Sequence, residues 1–359
     1  MDEINKLREE INDLDEKILN LLNKRGEIAK KIGELKNKKK IEITQPVREK
    51  EVIERLKNLT TILEPNSIEV IWKEIIGACK AIQGSVFKVG YLGPQGTFTH
   101  QAALEYFSKA STEFIACKSI LEIFENIEKD ILDFGILAIE NSLQGTVRET
   151  LDLLIERSLK IYGEIELRIV QNLISLKDSN LSDIKTIYSH PQAFAQSRLW
   201  IKTNLPTAKL INTESTAEAV QKIKKLNELS NAAIGTSFAS KIHDLKILSS
   251  KIEDNPSNFT RFLIISKKEN KMRNGKVKTS LVYVTKHIPG ALYGVLKIFA
   301  DANINLTKIE SRPRRKGRWE YIFLMDFEGD KDDPKVKEVL ELMNQNVIWY
   351  KILGSYPLT

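Results

Sequence analysis

Apolar residues recur at Ile4, Leu7, Ile11, Leu14, Ile18, Leu21, Ile28, Ile32 and Leu35. The steps alternate three and four, apart from a gap of seven between Leu21 and Ile28. This is a heptad seam, and the position it skips is Arg25. A helix from about Ile4 to Leu35 would be on the order of 50 Å long at 1.5 Å per residue, too long for a small monomeric bundle. A second helix is expected after Pro46, with apolar steps at Val52, Leu56, Leu59 and Leu63. A third follows Pro65, with Asn66 and Glu69 in capping-box spacing, a stripe of Ile68, Ile71, Ile75, Cys79 and Ile82, and Gly84 at its end. Three helices, one very long, predict that residues 1–84 form an all-α domain that buries its seams by intertwining with a second copy.

From Phe87 the pattern turns to short β-branched runs alternating with helices. FKVGYL, FGILAI, TIYS, AAIG and TRFLIIS read as buried strands of an α/β segment spanning residues 86–266. A Lys-rich linker follows. Residues 279–359 then give TSLVYVT, a helix from Gly290 to about Ala302, INLTKIES, RWEYIFLMDF, a helix from Pro334, and VIWYKIL. That order, βαββαβ, predicts an α+β ferredoxin-like unit.

Length and composition agree with this division. A chain of 359 residues, 42% hydrophobic and 29% charged, suits two or three soluble domains. No run approaches the ~18 apolar residues of a membrane span, and MDEINKLREE lacks the apolar centre of a signal peptide. Cys79 and Cys117 are too far apart for a CxxC motif and read as reduced thiols in the cytoplasm. The histidines are scattered, so neither a metal nor a cofactor is expected. Much of the net charge of +7 sits in KNKKK at Lys36–Lys40 and in KKENKMRNGKVK at Lys267–Lys278. Neither run interleaves aromatics, which favours solvated turn and linker over nucleic-acid binding. A mildly basic surface would still attract small polyanionic substrates.

The chemistry begins at Arg25. A buried unpaired guanidinium costs several kcal/mol, so something anionic should reach it. Two readings are open: a buried salt bridge or register-setting polar residue, or a ligand site. Arg8 and Lys36 flank the same stripe near opposite ends of the helix, and both could reach one pocket only if one came from a second chain. Glu49 lies on the second helix's stripe, and Cys79 and Gln83 continue the third. Cations, a carboxylate and an amide pointing inward suit a small dicarboxylate that also carries a hydroxyl or ether.

LREEINDLDEKILNLLNKRGEIAKKIGELK, PVREKEVIERL and IIGACKAIQ together resemble the all-helical chorismate mutases, which act as intertwined dimers. The resemblance implies that Arg8 from the partner chain and Arg25 clamp the two carboxylates of chorismate. Lys36 and Gln83 would donate to the ether oxygen, Glu49 would accept from the ring hydroxyl, and Arg48 would support the site. Two departures are visible: Gln45 where the family often has aspartate, and Cys79 where it often has serine.

In the middle segment, GYLGPQGTFTH places Gln95–Thr99 at a helix N-terminus, where backbone amides favour an anion. AIENSLQGTV and YSHPQAFAQ also follow strands, where ligands of open sheets collect. Each motif alone is as consistent with an ordinary turn or cap. Together, GPQGTFTHQAA, IENSLQGTVRETLDLL, SHPQAFAQ, AAIGTSFAS and NFTRF resemble prephenate dehydratase. That family has two α/β lobes like type II periplasmic binding proteins, and it converts prephenate to phenylpyruvate. The TRF motif falls on Thr260, Arg261 and Phe262, and the resemblance assigns the threonine an essential part. A threonine hydroxyl is a poor acid, so Thr260 reads as a positioned donor or one end of a relay. Arg261 either orients a carboxylate or braces a lobe. Thr97, Asn141, Ser142, Ser189 and Gln192 are candidate cleft residues, and His190 beside Pro191 reads as a structural turn histidine.

In the last segment, HIPGALYGVL and KIESRPRR resemble the ligand loop and ESRP motif of the ACT domain, where phenylalanine binds between paired domains. The implied contacts are Gly290, Ala291, Leu292, Glu310, Ser311, Arg312 and Pro313; helix capping beside a solvated Arg-rich loop is the bland alternative. The whole implies an enzyme of phenylalanine biosynthesis under phenylalanine inhibition, without a nucleic-acid or membrane partner. An arogenate-using dehydratase and a non-catalytic amino-acid sensor are the other readings.

Overall fold

A computed structural model describes residues 2–38, 46–271, 275–313 and 321–358. The substituted position Gln45 and the RWE start of the expected strand lie outside them. The chain divides into two compact units: residues 1–88 with 107–113, and residues 89–106 with 114–359. The second unit thus holds both the α/β segment and the βαββαβ segment.

The first unit is built on three helices: α1 (Asp2–Lys38), α2 (Pro46–Lys57) and α3 (Pro65–Ile82). The expected capping box is absent. Helix α3 starts two residues earlier, with Pro65 in the first turn after Glu64, and the Glu69 carboxylate instead takes Lys57 Nζ at 2.6 Å. Helix α2 also stops short of its expected stripe, leaving Leu59 and Leu63 exposed. The seam residues Ile4, Leu7, Ile11, Leu14, Ile18 and Leu21 are 53–65% exposed within one chain. Such a stripe is apolar surface of the kind that another chain covers.

The second unit contains three sheets. Strands β1 (Phe87–Leu92), β2 (Thr112–Cys117), β3 (Phe134–Asn141), β4 (Gly145–Thr146) and β5 (Lys160–Arg168) belong to a near lobe. Strands β6 (Asn172–Ser175), β7 (Thr186–Ser189), β8 (Lys209–Asn212), β9 (Asn231–Gly235) and β10 (Lys246–Ser250) form a distal lobe with order β10-β6-β9-β7-β8. Strand β11 (Phe259–Ser266) returns to the near lobe and enters the order β2-β1-β3-β11-β5. The chain therefore crosses between lobes twice, at residues 169–171 and again at residues 251–258. The crossovers are tied to each other: Ile169 N–H donates to the Asn258 carbonyl at 2.8 Å and Ile252 N–H to the Gln171 carbonyl at 2.9 Å.

The third sheet comprises β12 (Val277–Thr285), β13 (Leu306–Pro313), β14 (Tyr321–Glu328) and β15 (Val347–Pro357), ordered β13-β14-β12-β15 and antiparallel throughout. Helices Ala291–Asp301 and Pro334–Asn346 cover one face around Phe299, Phe327 and Met343. The other face shares a core with the near lobe, in which Leu137, Ile161 and Leu263 meet Val282, Leu324 and Tyr356. The approach is close. A Cβ on Gly354 would sit 2.3 Å from the Ile161 carbonyl oxygen, so only glycine fits there.

Candidate active sites

The helical unit holds a pocket of about 450 Å³, reached by Arg25 and Lys36 from α1, Arg48 and Glu49 from α2, and Cys79, Lys80 and Gln83 from α3. Ala29, Ile32 and Val52 supply its apolar wall. Arg25 donates to the Cys79 sulfur at 2.7 Å. That partner is a cysteine sulfur and not a carboxylate, so no acidic side chain is bonded to Arg25 among the described residues. Glu49 pairs with Lys80 at 2.7 Å. Lys80 was not foreseen, although Glu49 on an apolar stripe was a sign that a cation stood opposite. Burial pulls the Lys36 ammonium below the ordinary lysine value, with Glu49 opposing the shift and Lys80 adding to it. Gly33 lets α1 and α3 close on this site: a Cβ there would lie 2.7 Å from Gln83 Cγ. Arg8 lies outside the pocket, exposed, and reaches Asn5 at 3.5 Å. Arg48 also bonds Glu51 at 3.2 Å.

The second pocket is the cleft between the lobes, again about 450 Å³. Strand alternation divides the TRF motif between two faces. Thr260 and Phe262 line the cleft, with Asn141 beside them. Asn141 Nδ2 donates to the Thr260 hydroxyl at 2.9 Å, to Asn258 Oδ1 at 2.8 Å and to the Phe259 carbonyl at 3.1 Å. Because Thr260 accepts from Asn141, its own proton is left to donate elsewhere. Arg261 points the opposite way. Its guanidinium meets Glu164 at 2.8 Å and Asp326 of β14 at 2.7 Å, while Lys278 holds the second Glu164 oxygen at 2.6 Å. Burial lowers the Arg261 pKa, but Asp326, Tyr356 and Glu164 more than reverse this, so it lies above the ordinary arginine value. Of the two roles open for Arg261, the geometry supports bracing.

Thr97 lines the cleft as a helix cap, accepting from His100 N–H at 3.2 Å. Gln192 lines it too, and His190 caps the helix Pro191–Gln196 through a 3.2 Å bond to the Gln192 amide. Ser189 and Ser142 are not among the residues lining the cleft. Ser189 is fully buried and donates to the Ile234 carbonyl at 2.9 Å, pinning two strands; Ser142 stands in the turn after β3. Its hydroxyl joins Ser257 O at 3.1 Å and Phe259 N–H at 3.0 Å, tying the turn after β3 to the second crossover. Helices Phe98–Tyr106, Arg148–Glu156 and Thr216–Leu226 also begin at residues bordering the cleft. Their free amides supply positive potential for an anion. Neither lysine nor arginine lines the cleft among the described residues. Gln144, Thr146, Gln171, Gln196 and Glu214 do line it; Gln144, Thr146 and Gln196 lie within the quoted motifs, but the sequence marked none of the five as a site residue.

On the third sheet, edge strand β13 alternates exposed and half-buried residues. Ser311 and Pro313 face outward, as does Gly290, while Ala291 and Leu292 are half-buried. Glu310 and Arg312 face the near lobe. Glu310 bonds the cleft residue Thr146, and Arg312 pairs with Asp152 at 2.8 Å. Lys308 bridges Glu140 at 2.7 Å and Glu310 at 3.4 Å.

Family models match this chain as chorismate mutase type II over residues 7–84, prephenate dehydratase over 89–270 and ACT domain over 279–341. These define a two-activity enzyme with a C-terminal ACT domain. The chain is 41% identical to a bifunctional chorismate mutase/prephenate dehydratase of Aquifex aeolicus (strain VF5), covering 99% of this chain and 98% of that one. A solved prephenate dehydratase from Arthrobacter aurescens, in complex with L-Phe, is 33% identical with a TM-score of 0.69, covering 76% of this chain and 90% of its own. GqqA, described as a novel type of quorum quenching acylase, is 28% identical with a TM-score of 0.69, covering 76% of this chain and 98% of its own. The chain belongs to the bifunctional chorismate mutase/prephenate dehydratase family and is an enzyme with both activities.

Proposed function

We propose that chorismate is rearranged to prephenate in the Arg25 pocket and that prephenate becomes phenylpyruvate in the Thr260 cleft. The observation that carries the division of labour is the pair of pockets, one cationic on three helices and one between two lobes. In the first, Arg25 and an Arg8 from a second copy hold the two carboxylates. Lys36 and Gln83 donate to the ether oxygen as its bond breaks, and Glu49, aimed by Lys80, accepts from the ring hydroxyl. The rearrangement needs no nucleophile, so catalysis lies in holding the compact conformer and stabilising developing charge. The exposed seam of α1 supports a homodimer, since another copy of the same stripe would both cover it and deliver Arg8.

In the second pocket, Asn141 orients Thr260 as a donor to the departing hydroxyl, and ring aromatisation drives loss of carbon dioxide. Prephenate is the natural substrate over arogenate because the same chain makes it. No helix of the described residues is long and apolar enough to cross a membrane. Two buried free cysteines suit a reducing cytoplasm.

Phenylalanine acts, in this reading, at Gly290–Leu292 and Ser311 on the outward side of the ACT segment. Strand β13 carries Glu310 and Arg312 on its other side, bonded to Thr146 and Asp152 of the dehydratase segment. An effector that binds the two positions of β13 unequally would therefore shift the cleft rim. Thr260→Ala tests the assignment of sites. Phenylpyruvate formation should vanish while chorismate is consumed at the original rate and prephenate accumulates; loss of both activities would mean one shared site.

A further inference from the structure

Two amide side chains in the dehydratase cleft have been given no role so far. Gln171 stands on the first crossover between the lobes, and Gln196 ends the helix Pro191–Gln196. Gln171 Nε2 donates to Gln196 Oε1 at 3.0 Å, and both residues line the cleft. The remaining atoms, Gln171 Oε1 and Gln196 Nε2, are buried without a hydrogen-bond partner among the described residues. Gln171 is 2% exposed. Its backbone is held on both sides, the N–H by the Glu253 carboxylate at 2.9 Å and the carbonyl by Ile252 N–H at 2.9 Å. The backbone from which the side chain projects is therefore fixed. Buried polar atoms are nearly always paired, so an orphaned donor and acceptor on two mutually bonded amides that line a cleft call for a ligand. Exchanging oxygen and nitrogen in both amides preserves their mutual bond and again leaves one donor and one acceptor.

The chemistry of that pair is selective. A carboxylate would bring its charge against the free carbonyl, and an ammonium would meet the free N–H. A hydroxyl satisfies both, donating to the carbonyl and accepting from the N–H. Resting on the dehydratase reading above, we propose that the Gln171–Gln196 pair holds the ring hydroxyl of prephenate, the group lost as water. Thr260 lies at the same junction of the lobes, on the strand that begins where the second crossover ends. Its proton is the one Asn141 leaves available.

As the carbon–oxygen bond breaks, its electron pair stays on the departing oxygen, which Gln196 N–H stabilises. That oxygen takes one proton through the Thr260 hydroxyl, which solvent reprotonates, and leaves as water. The electron pair of the bond to the ring carboxylate enters the ring, and carbon dioxide departs. Gln171 aims the hydroxyl. The two carboxylates of the substrate are left to the helix N-termini around the cleft.

The test uses the full chain supplied with prephenate, comparing Gln196→Met, Gln196→Glu and Gln171→Met with the parent. Each change removes the donor or the acceptor at similar volume. Dehydratase kcat should fall roughly tenfold to a hundredfold in all three. Phenylpyruvate, which keeps the pyruvyl side chain but has no ring hydroxyl, should inhibit the parent and the two methionine variants equally, and it is with these that inhibition is compared. That inhibition also reports whether the cleft is formed when buried Gln171 is changed. A kcat within twofold of the parent in the variants, or phenylpyruvate inhibition weakened alongside kcat, would overturn the proposal. Thr260→Ala run in parallel separates the two levels. If it still forms phenylpyruvate, the cleft reading itself fails, whereas inactive Thr260→Ala beside fully active glutamine variants removes the amide pair alone.

Discussion

The mutase pocket and the dehydratase cleft are alike in volume, about 450 Å³ each, and each is assigned a dicarboxylate substrate. Their linings differ. Arg25, Lys36, Arg48 and Lys80 reach the first, while the second offers hydroxyls, amides and helix N-termini with neither lysine nor arginine among the described residues. The difference follows from what happens to the carboxylates. The rearrangement keeps both, so cations that hold them in one conformer also serve the transition state. The dehydration destroys one as carbon dioxide. A cation paired to that group would bind the ground state better than the transition state, where its charge moves into the ring. Neutral donors and helix dipoles, whose positive potential is only about half a charge at each helix end, attract the substrate with a smaller penalty. In the proposed reading the sites differ also in completeness, for the mutase pocket takes Arg8 from a second copy while every residue assigned to the cleft comes from one chain.

The first way to break this comparison is Arg25→Leu. Mutase activity should fall roughly a hundredfold or more, with dehydratase activity on supplied prephenate unchanged. Mixing Arg25→Leu with Arg8→Ala should then restore about a quarter of the parent mutase activity, because half of randomly exchanged dimers carry one intact site. No recovery would deny that Arg8 crosses between chains.

Asp326→Ala sharpens the other side. It leaves Arg261 with Glu164 and the more distant Glu140 at 3.7 Å, and should cost on the order of 3 kcal/mol in resistance of the dehydratase activity to urea. Mutase activity should persist. A variant as resistant as the parent would mean that the ion pairs behind Thr260 do not hold the strand.

A smaller effect concerns pH. Lys36 must be protonated to donate, and its pKa is lowered by burial. Mutase activity should therefore be full at neutral pH and decline on the alkaline side below the ~10.4 of a free lysine. Lys36→Arg should move that decline upward. A pH profile unchanged by the substitution would show that another group titrates.

Much of this was legible in sequence, for specific reasons. The seam revealed Arg25 because a charge in a heptad stripe breaks a strong period, and buried strands such as FGILAI announced the lobes. Other features arise only from three-dimensional placement. Whether Arg261 faced substrate or lobe was undecidable until β11 had neighbours on both faces. Ser189 was ambiguous because a serine at a strand end reads the same whether it meets ligand or a carbonyl. Gln171 carries no sequence signal, since its importance comes from standing where the chain changes lobes. Gln196 lay inside SHPQAFAQ, a motif already singled out, and the Glu49 carboxylate foretold a cation without saying that Lys80 would supply it.

The central claim, that the cleft works with neither lysine nor arginine in its lining among the described residues, is tested most directly by placing a cation there. Gln192→Lys adds an ammonium at the rim of the dehydratase site, and kcat and KM for prephenate are measured separately. The account predicts a lower KM together with a lower kcat, tighter binding at the expense of rate. A kcat that is unchanged or raised would contradict it.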